Sequence, residues 1–252
     1  FGLVGVGVVK TFRWQVMREL RWLVMMGFAV FVVFVALVSS AMQHRDIWRN
    51  SGTLWQDHLL DYPNSTSGLL NLGVYYFKTG AYMRAQPYFE QILVEHPTHS
   101  KANEFMGNVM FNAANYEQAV QYYQRAIAID NAIYSYYGLG RALQKLGDHR
   151  GAFTAYQQAV NRNSQFGQVY PYYGEVALRI GERDTAIMAL ETASQLGVAT
   201  GESYSYLCLI YGDIGDFDKA IENCEQSVQI DPQIGRYAGR YAHVLLLMDN
   251  PA

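Results

Sequence analysis

Small and large apolar side chains alternate along residues 66–234 in a pattern that returns every 33 or 34 positions. Gly73, Gly107, Gly140 and Gly174 are followed at the same interval by Cys208, and Ala85, Ala119, Ala152, Ala186 and Ala220 lie twelve residues beyond each. With Thr66, Ser100, Ile133, Gly167 and Gly201 as unit starts, the eighth position is Gly or Cys and the twentieth is always Ala. Such a period predicts stacked helical units, each burying its apolar face only against its neighbours. Small residues at both places let two antiparallel helices approach toward the lower end of the roughly 8 to 10 Å range for packed pairs. Between them Gly80, Ala114, Gly147, Gly181 and Gly215 mark the turn that ends the first helix. Larger residues, Phe89, Tyr123, Tyr156 and Leu190, fill the twenty-fourth position, where the fifth unit has Cys224. Pro97 and Pro232 close the first and last full units, since proline cannot continue a helix.

A second pattern lies near the other end. No charge occurs between Trp22 and Gln43, and the apolar stretch from Leu23 to Met42 is long enough as a helix to span a hydrocarbon core of roughly 30 Å. Residues 22–43 are therefore expected to form a transmembrane helix in contact with lipid. A secretory signal cleaved near Ser39-Ser40-Ala41 is the rival reading, although the apolar run is longer than such signals usually have. A buried helix of a soluble domain fits less well, because no polar face exists. Lys10, Arg13, Arg18 and Arg21 precede the span whereas Arg45 and Arg49 follow it, which puts the first side in the cytoplasm and the repeats on the extracytoplasmic side. Phe1 to Val9 are apolar and read as the end of an earlier membrane helix or as a frayed terminus.

The repeat resembles the tetratricopeptide repeat, most closely in Leu72-Gly73, Tyr76, Ala85, Phe89 and Pro97 of the first unit. The resemblance covers residues 66 to about 234 and implies an all-α, right-handed α-solenoid of about five helix hairpins, here preceded by the transmembrane helix. Asn131, Ser164 and Val198 in place of the closing proline, and Cys208 in place of Gly, are departures that bear on local geometry. Five regions follow: 1–21, apolar and then basic; the span 22–43; a junction 44–65 with a lone second helix carrying Trp55, His58 and Pro63; the repeats 66–234; and a partial sixth repeat or cap over 235–252. The junction from Arg45 to Trp55 also looks like that of multi-spanning membrane glycosyltransferases bearing C-terminal tetratricopeptide repeats. That likeness implies a lipid-linked sugar donor for the whole enzyme and a non-catalytic tail here, so no catalytic residue carries over.

Composition fits a membrane-tethered helical protein, with 50 % hydrophobic and 16 % charged residues. Charge is uneven, net +2 over residues 1–63 and −5 over 64–252. An acidic repeat region argues against nucleic acid, whose binding rests on clustered Lys and Arg.

Candidate chemistry is sparse, and no catalytic residue, cofactor or metal is expected. The six histidines are scattered, and His96 and His99 form no metal-ligand set. Gly2, Gly5 and Gly7 lack the strand-to-helix context of a phosphate loop. Asn64-Ser65-Thr66 reads as a helix cap or, on the outward side, as a glycosylation acceptor. Cys208 and Cys224 fall on facing helices of one hairpin, either as a buried pair of free thiols, the favoured reading, or as a disulfide.

The first helix of each unit lines the inner groove of such arrays. Asn108, Phe111, Asn112, Tyr137, Arg141, Lys145, Glu175 and Arg179 are therefore expected to form a mixed polar and aromatic surface that holds an extended protein or peptide segment. Leu70 and Val74 stand where chaperone-binding members of the family use Lys and Asn, so that clamp is not expected. The reading is a membrane-anchored interaction scaffold, alternatively the tail of the glycosyltransferase.

Overall fold

The computed structural model describes residues 25, 26, 28, 31–35 and 51–249, which separate into a unit up to Gly68 and a unit from Leu69. All regular structure among the described residues is helical: α1 (Ser51–Asp61), α2 (Thr66–Lys78), α3 (Tyr82–Glu95), α4 (Ser100–Asn112), α5 (Tyr116–Asp130), α6 (Ile133–Lys145), α7 (His149–Arg162), α8 (Tyr170–Arg179), α9 (Arg183–Gln195), α10 (Gly201–Ile214), α11 (Phe217–Ile230) and α12 (Gly235–Asp249).

In the first unit, α1 ends in a turn closed by the Tyr62 amide donating to the His58 carbonyl. Trp55, His58 and Tyr62 stack ring to ring at 5.6 and 5.3 Å. Ser65 Oγ accepts the Gly68 amide at 3.2 Å, the capping role expected of this polar run. The span expected at 22–43 lies mostly outside the described residues. Within it Met25, Met26, Phe28 and residues 31–35 are helical with exposed side chains. No helix among the described residues is long and apolar enough to cross a membrane. Residues 45–50 of the glycosyltransferase-like junction are likewise outside the described set.

From Leu69 onward the chain is a helical solenoid, and one seam per hairpin explains it. The five alanines of the twentieth position are fully buried. A Cβ on Gly73 would lie 2.6 Å from the Phe89 ring, on Gly107 2.7 Å from Tyr123, on Gly140 2.5 Å from Tyr156 and on Gly174 2.5 Å from Leu190. Each seam therefore closes by seating the large residue of the second helix on the bare backbone of the first. The same large residues also meet the next hairpin. Phe89 stacks on Phe105 at 5.3 Å, and a Cβ on Gly138 would meet Tyr123 at 2.4 Å. One side chain thus serves two interfaces, which is why the units depend on their neighbours.

The fifth seam differs. Cys208 and Cys224 are bonded, Sγ to Sγ at 2.02 Å with Cα atoms 4.9 Å apart. The favoured reading of free thiols is corrected: with neither a bare glycine nor a large side chain available, two short side chains meet across the gap and join.

Turns follow the pattern. Gly80, Gly147, Gly181 and Gly215 have φ between +79° and +88°, and Ala114 is forced to +58° at the same place. Asn115, Asp148 and Asp216, next in line, accept the amides of Gln118, Gly151 and Lys219 and cap α5, α7 and α11. The fourth unit departs from its expected start at Gly167. A 3₁₀ turn spans Gly167–Val169 before α8, whose first turn holds Pro171, a residue suited to that place because it lacks the amide hydrogen. At the far end α12 buries Tyr237 and Val244, and Val244 packs on Gly212. Ala242, aligned with the small-residue position, is exposed because no second helix follows within the described residues.

Candidate peptide groove

Three helices place the expected groove residues: α4 holds Asn108, Phe111 and Asn112, α6 holds Tyr137, Arg141 and Lys145, and α8 holds Glu175 and Arg179. Arg141 is the hub. Its guanidinium lies 4.3 Å from the Phe111 ring centre, 5.6 Å from Tyr137 and 5.9 Å from Tyr172. Stacking occupies the planar faces of the guanidinium and leaves the N–H edges to bond. No ion pair joins Arg141 or Lys145 to a carboxylate among the described residues. Arg179 instead holds Glu175, with Nε and Nη2 donating to Oε1 at 3.1 and 3.0 Å. That bond is the main cause that raises the Arg179 pKa further.

Two amides serve the fold before they serve a ligand. Asn108 Oδ1 accepts the Tyr123 hydroxyl at 2.8 Å, and Gln144 Oε1 accepts that of Tyr156 at 2.9 Å. Asn112 donates to the Asn108 carbonyl at 2.8 Å. Glu104, one turn earlier on α4, is buried, paired with Lys101 at 3.2 Å, and accepts the Ser135 hydroxyl at 3.3 Å.

Around these residues lie adjoining cavities. One of about 430 Å³ is lined by Phe111, Arg141, Lys145, His149 and Arg179, with Tyr172 and Glu175 at its border. The next, of about 390 Å³, shares Tyr172 and Glu175 and adds Tyr137, Val198, Glu202 and Tyr206. A third, of about 710 Å³, continues past Glu202 to Arg236 and Tyr237. Glu202 is held by Arg236 and Arg240, and the Tyr237 hydroxyl donates to it at 3.2 Å. Burial is the main cause that raises the Tyr137 pKa, with neighbouring Tyr172 adding to it and Arg141 opposing. Burial followed by the charges of Glu175 and Glu202 pushes Tyr206 up to about 12. The middle cavity thus has tyrosine rings over part of its wall.

Of the residues expected in the groove, Phe111, Tyr137, Arg141, Lys145, Glu175 and Arg179 line these adjoining cavities. Tyr172, Glu202 and Tyr206 also line them and were not anticipated. Cys208 and Cys224 lie in the core and line none of these cavities.

Family models described as "Tetratricopeptide repeat" match residues 70–132, 133–166 and 206–234. Among solved structures, Pseudomonas aeruginosa pilF superposes with a TM-score of 0.70 at 15 % identity, covering 84 % of this chain and 96 % of that one. YrrB, described as a TPR protein with an unusual peptide-binding site, gives 0.63 at 17 %, covering 73 % and 96 %. At those identities the likeness is one of fold. The Arabidopsis thaliana CTR9 homolog is 22 % identical over 182 residues, which cover 68 % of this chain and 17 % of that protein. Alignments with the sequence relatives span only 10 to 18 % of their length.

Proposed function

Because this chain belongs to the tetratricopeptide repeat family, we propose that it is an interaction scaffold that seats an extended segment of a partner protein along α4, α6 and α8. The observation behind this reading is the Arg141 platform. A guanidinium packed among three rings, with no carboxylate of its own, lines one of the cavities and is held ready for a ligand there. Rigid aromatic walls lose little side-chain entropy on contact, and Arg and Tyr are the residue types that dominate binding energy at interfaces. The peptide-binding site described for YrrB is consistent with this use of the fold.

In this reading residues 22–43 tether the scaffold to a membrane, which raises the local concentration of a partner at that surface. Exposed helical side chains at Met25, Met26, Phe28 and residues 31–35 support it. The repeats face the extracytoplasmic side, a placement favoured by the basic residues ahead of the span and by the Cys208–Cys224 bond, which persists in an oxidising compartment. No relative found favours the sugar-transferase alternative.

Two measurements test the reading. A variant combining Arg141→Glu and Lys145→Glu should keep its helical circular dichroism yet lose binding to peptides selected on the native chain; unchanged binding rejects the groove. Flotation with lipid vesicles should carry the full chain upward and leave a chain lacking residues 22–43 behind; equal flotation of both rejects the tether.

A further inference from the structure

The two cavities that meet at Tyr172 and Glu175 have opposite chemistry. In the first, Arg141, Lys145 and Arg179 face one carboxylate, Glu175, which Arg179 already neutralises. The uncompensated charges are those of Arg141 and Lys145. In the second, no Lys or Arg lines the wall; the rings of Tyr137, Tyr172 and Tyr206 with Pro171 and Val198 form its apolar part, beside the uncharged polar groups of Gln168, Thr200 and Ser203, and its two carboxylates are paired with Arg179 and with Arg236 and Arg240. An anion entering the first space gains charge-assisted bonds from a guanidinium whose faces are already packed. A charged group of either sign entering the second loses water with no free counter-charge, whereas a large apolar body displaces water from ring surface.

The geometry points to a ligand class: an extended peptide segment with an internal Asp or Glu seated on Arg141 and Lys145, and a large apolar or aromatic side chain two positions away in the tyrosine-walled cavity. The spacing follows from the shared border of the cavities, since side chains two apart on an extended strand are about 7 Å apart. Residues 64–252 carry a net charge of −5, so a uniformly acidic segment is repelled and a single carboxylate with uncharged neighbours is preferred. This inference rests on the groove reading proposed above.

The test is selection of a random peptide library on the full chain, each peptide joined at both ends to its display scaffold so that a carboxylate can come only from a side chain. Native protein should enrich Asp or Glu two positions from Phe, Tyr, Trp, Leu or Met. Arg141→Gln combined with Lys145→Gln should erase the acidic preference and keep the apolar one, and Tyr172→Ala should do the reverse, each with an unchanged circular dichroism spectrum. Selected peptides should bind the native chain at least about tenfold more tightly than their Glu→Gln versions, the scale of one charge-assisted contact. Groove-dependent binders without acidic preference, or with a basic one, overturn the inference and leave the groove reading intact. Loss of all binding that depends on Arg141 or Tyr172 overturns both.

Discussion

The second and third hairpins differ from the first, fourth and fifth in carrying a hydroxyl in their seams. Tyr123 and Tyr156 sit on bare glycine backbone as Phe89 and Leu190 do, but each carries a hydroxyl through to the groove side, where it holds the amide of Asn108 or Gln144. Phe89, Leu190 and the Cys208–Cys224 bond close their seams without such a reach. The polar seams are therefore those of the hairpins that supply Phe111, Arg141 and Lys145. Packing inside a hairpin and the shape of the groove are thus coupled at α4 and α6.

The largest effect that can break this comparison is Tyr156→Ala. It empties the third seam and frees Gln144, and removal of a buried aromatic costs about 3–5 kcal/mol. Denaturant unfolding followed by circular dichroism measures the loss, and a change under about 1 kcal/mol would deny the seam its role. Next, Cys208→Ala with Cys224→Ala should cost about 3 kcal/mol, the chain-entropy value for a loop of about 15 residues. Installing the pair used elsewhere, Cys208→Gly with Cys224→Tyr, should recover part of that loss. No recovery in thermal unfolding would mean that the fifth hairpin is not interchangeable with the others.

The periodic part of this architecture was legible because it repeats. Positions eight, twenty and twenty-four give five independent readings of one packing rule, and the turn position five of another. Groove residues were legible only where the helix phase held. Tyr172 and Tyr206 both stand sixth in their units, a place filled by Asn71, Phe105 and Gly138 in the others, so no recurring side chain announced them. In the fourth unit a 3₁₀ turn, which advances the chain faster per residue than an α-turn, stands ahead of α8, yet Glu175 and Arg179 still line the groove. The disulfide was legible as a placement and not as a bond, since spacing fixes which helices face each other and not whether two sulfurs join.

Alkaline titration sharpens the contrast between groove and seam. Tyr206 is raised from an ordinary value near 10 to about 12, so the folded chain holds its phenol neutral where the unfolded chain ionises it. Its contribution to stability is complete below pH of about 10 and disappears as pH rises through about 12. Tyr137, Tyr123 and Tyr156 are raised in the same direction, chiefly by burial. Stability measured against pH should therefore stay level with respect to these groups up to the ordinary phenol range and then fall, and Tyr206→Phe should flatten the early part of that fall. The smallest expected effect is at Ala114, whose φ of +58° suits glycine. Ala114→Gly should stabilise by up to about 1 kcal/mol, because relief of left-handed strain outweighs the added freedom of the unfolded chain.

The most direct test of the groove is hydrogen exchange of the full chain, segment by segment, with and without a library-selected peptide. Slower exchange confined to α4, α6, α8 and the start of α10 is the predicted result. Protection falling on α5, α7 and α9, or on none of the repeats, would contradict the account.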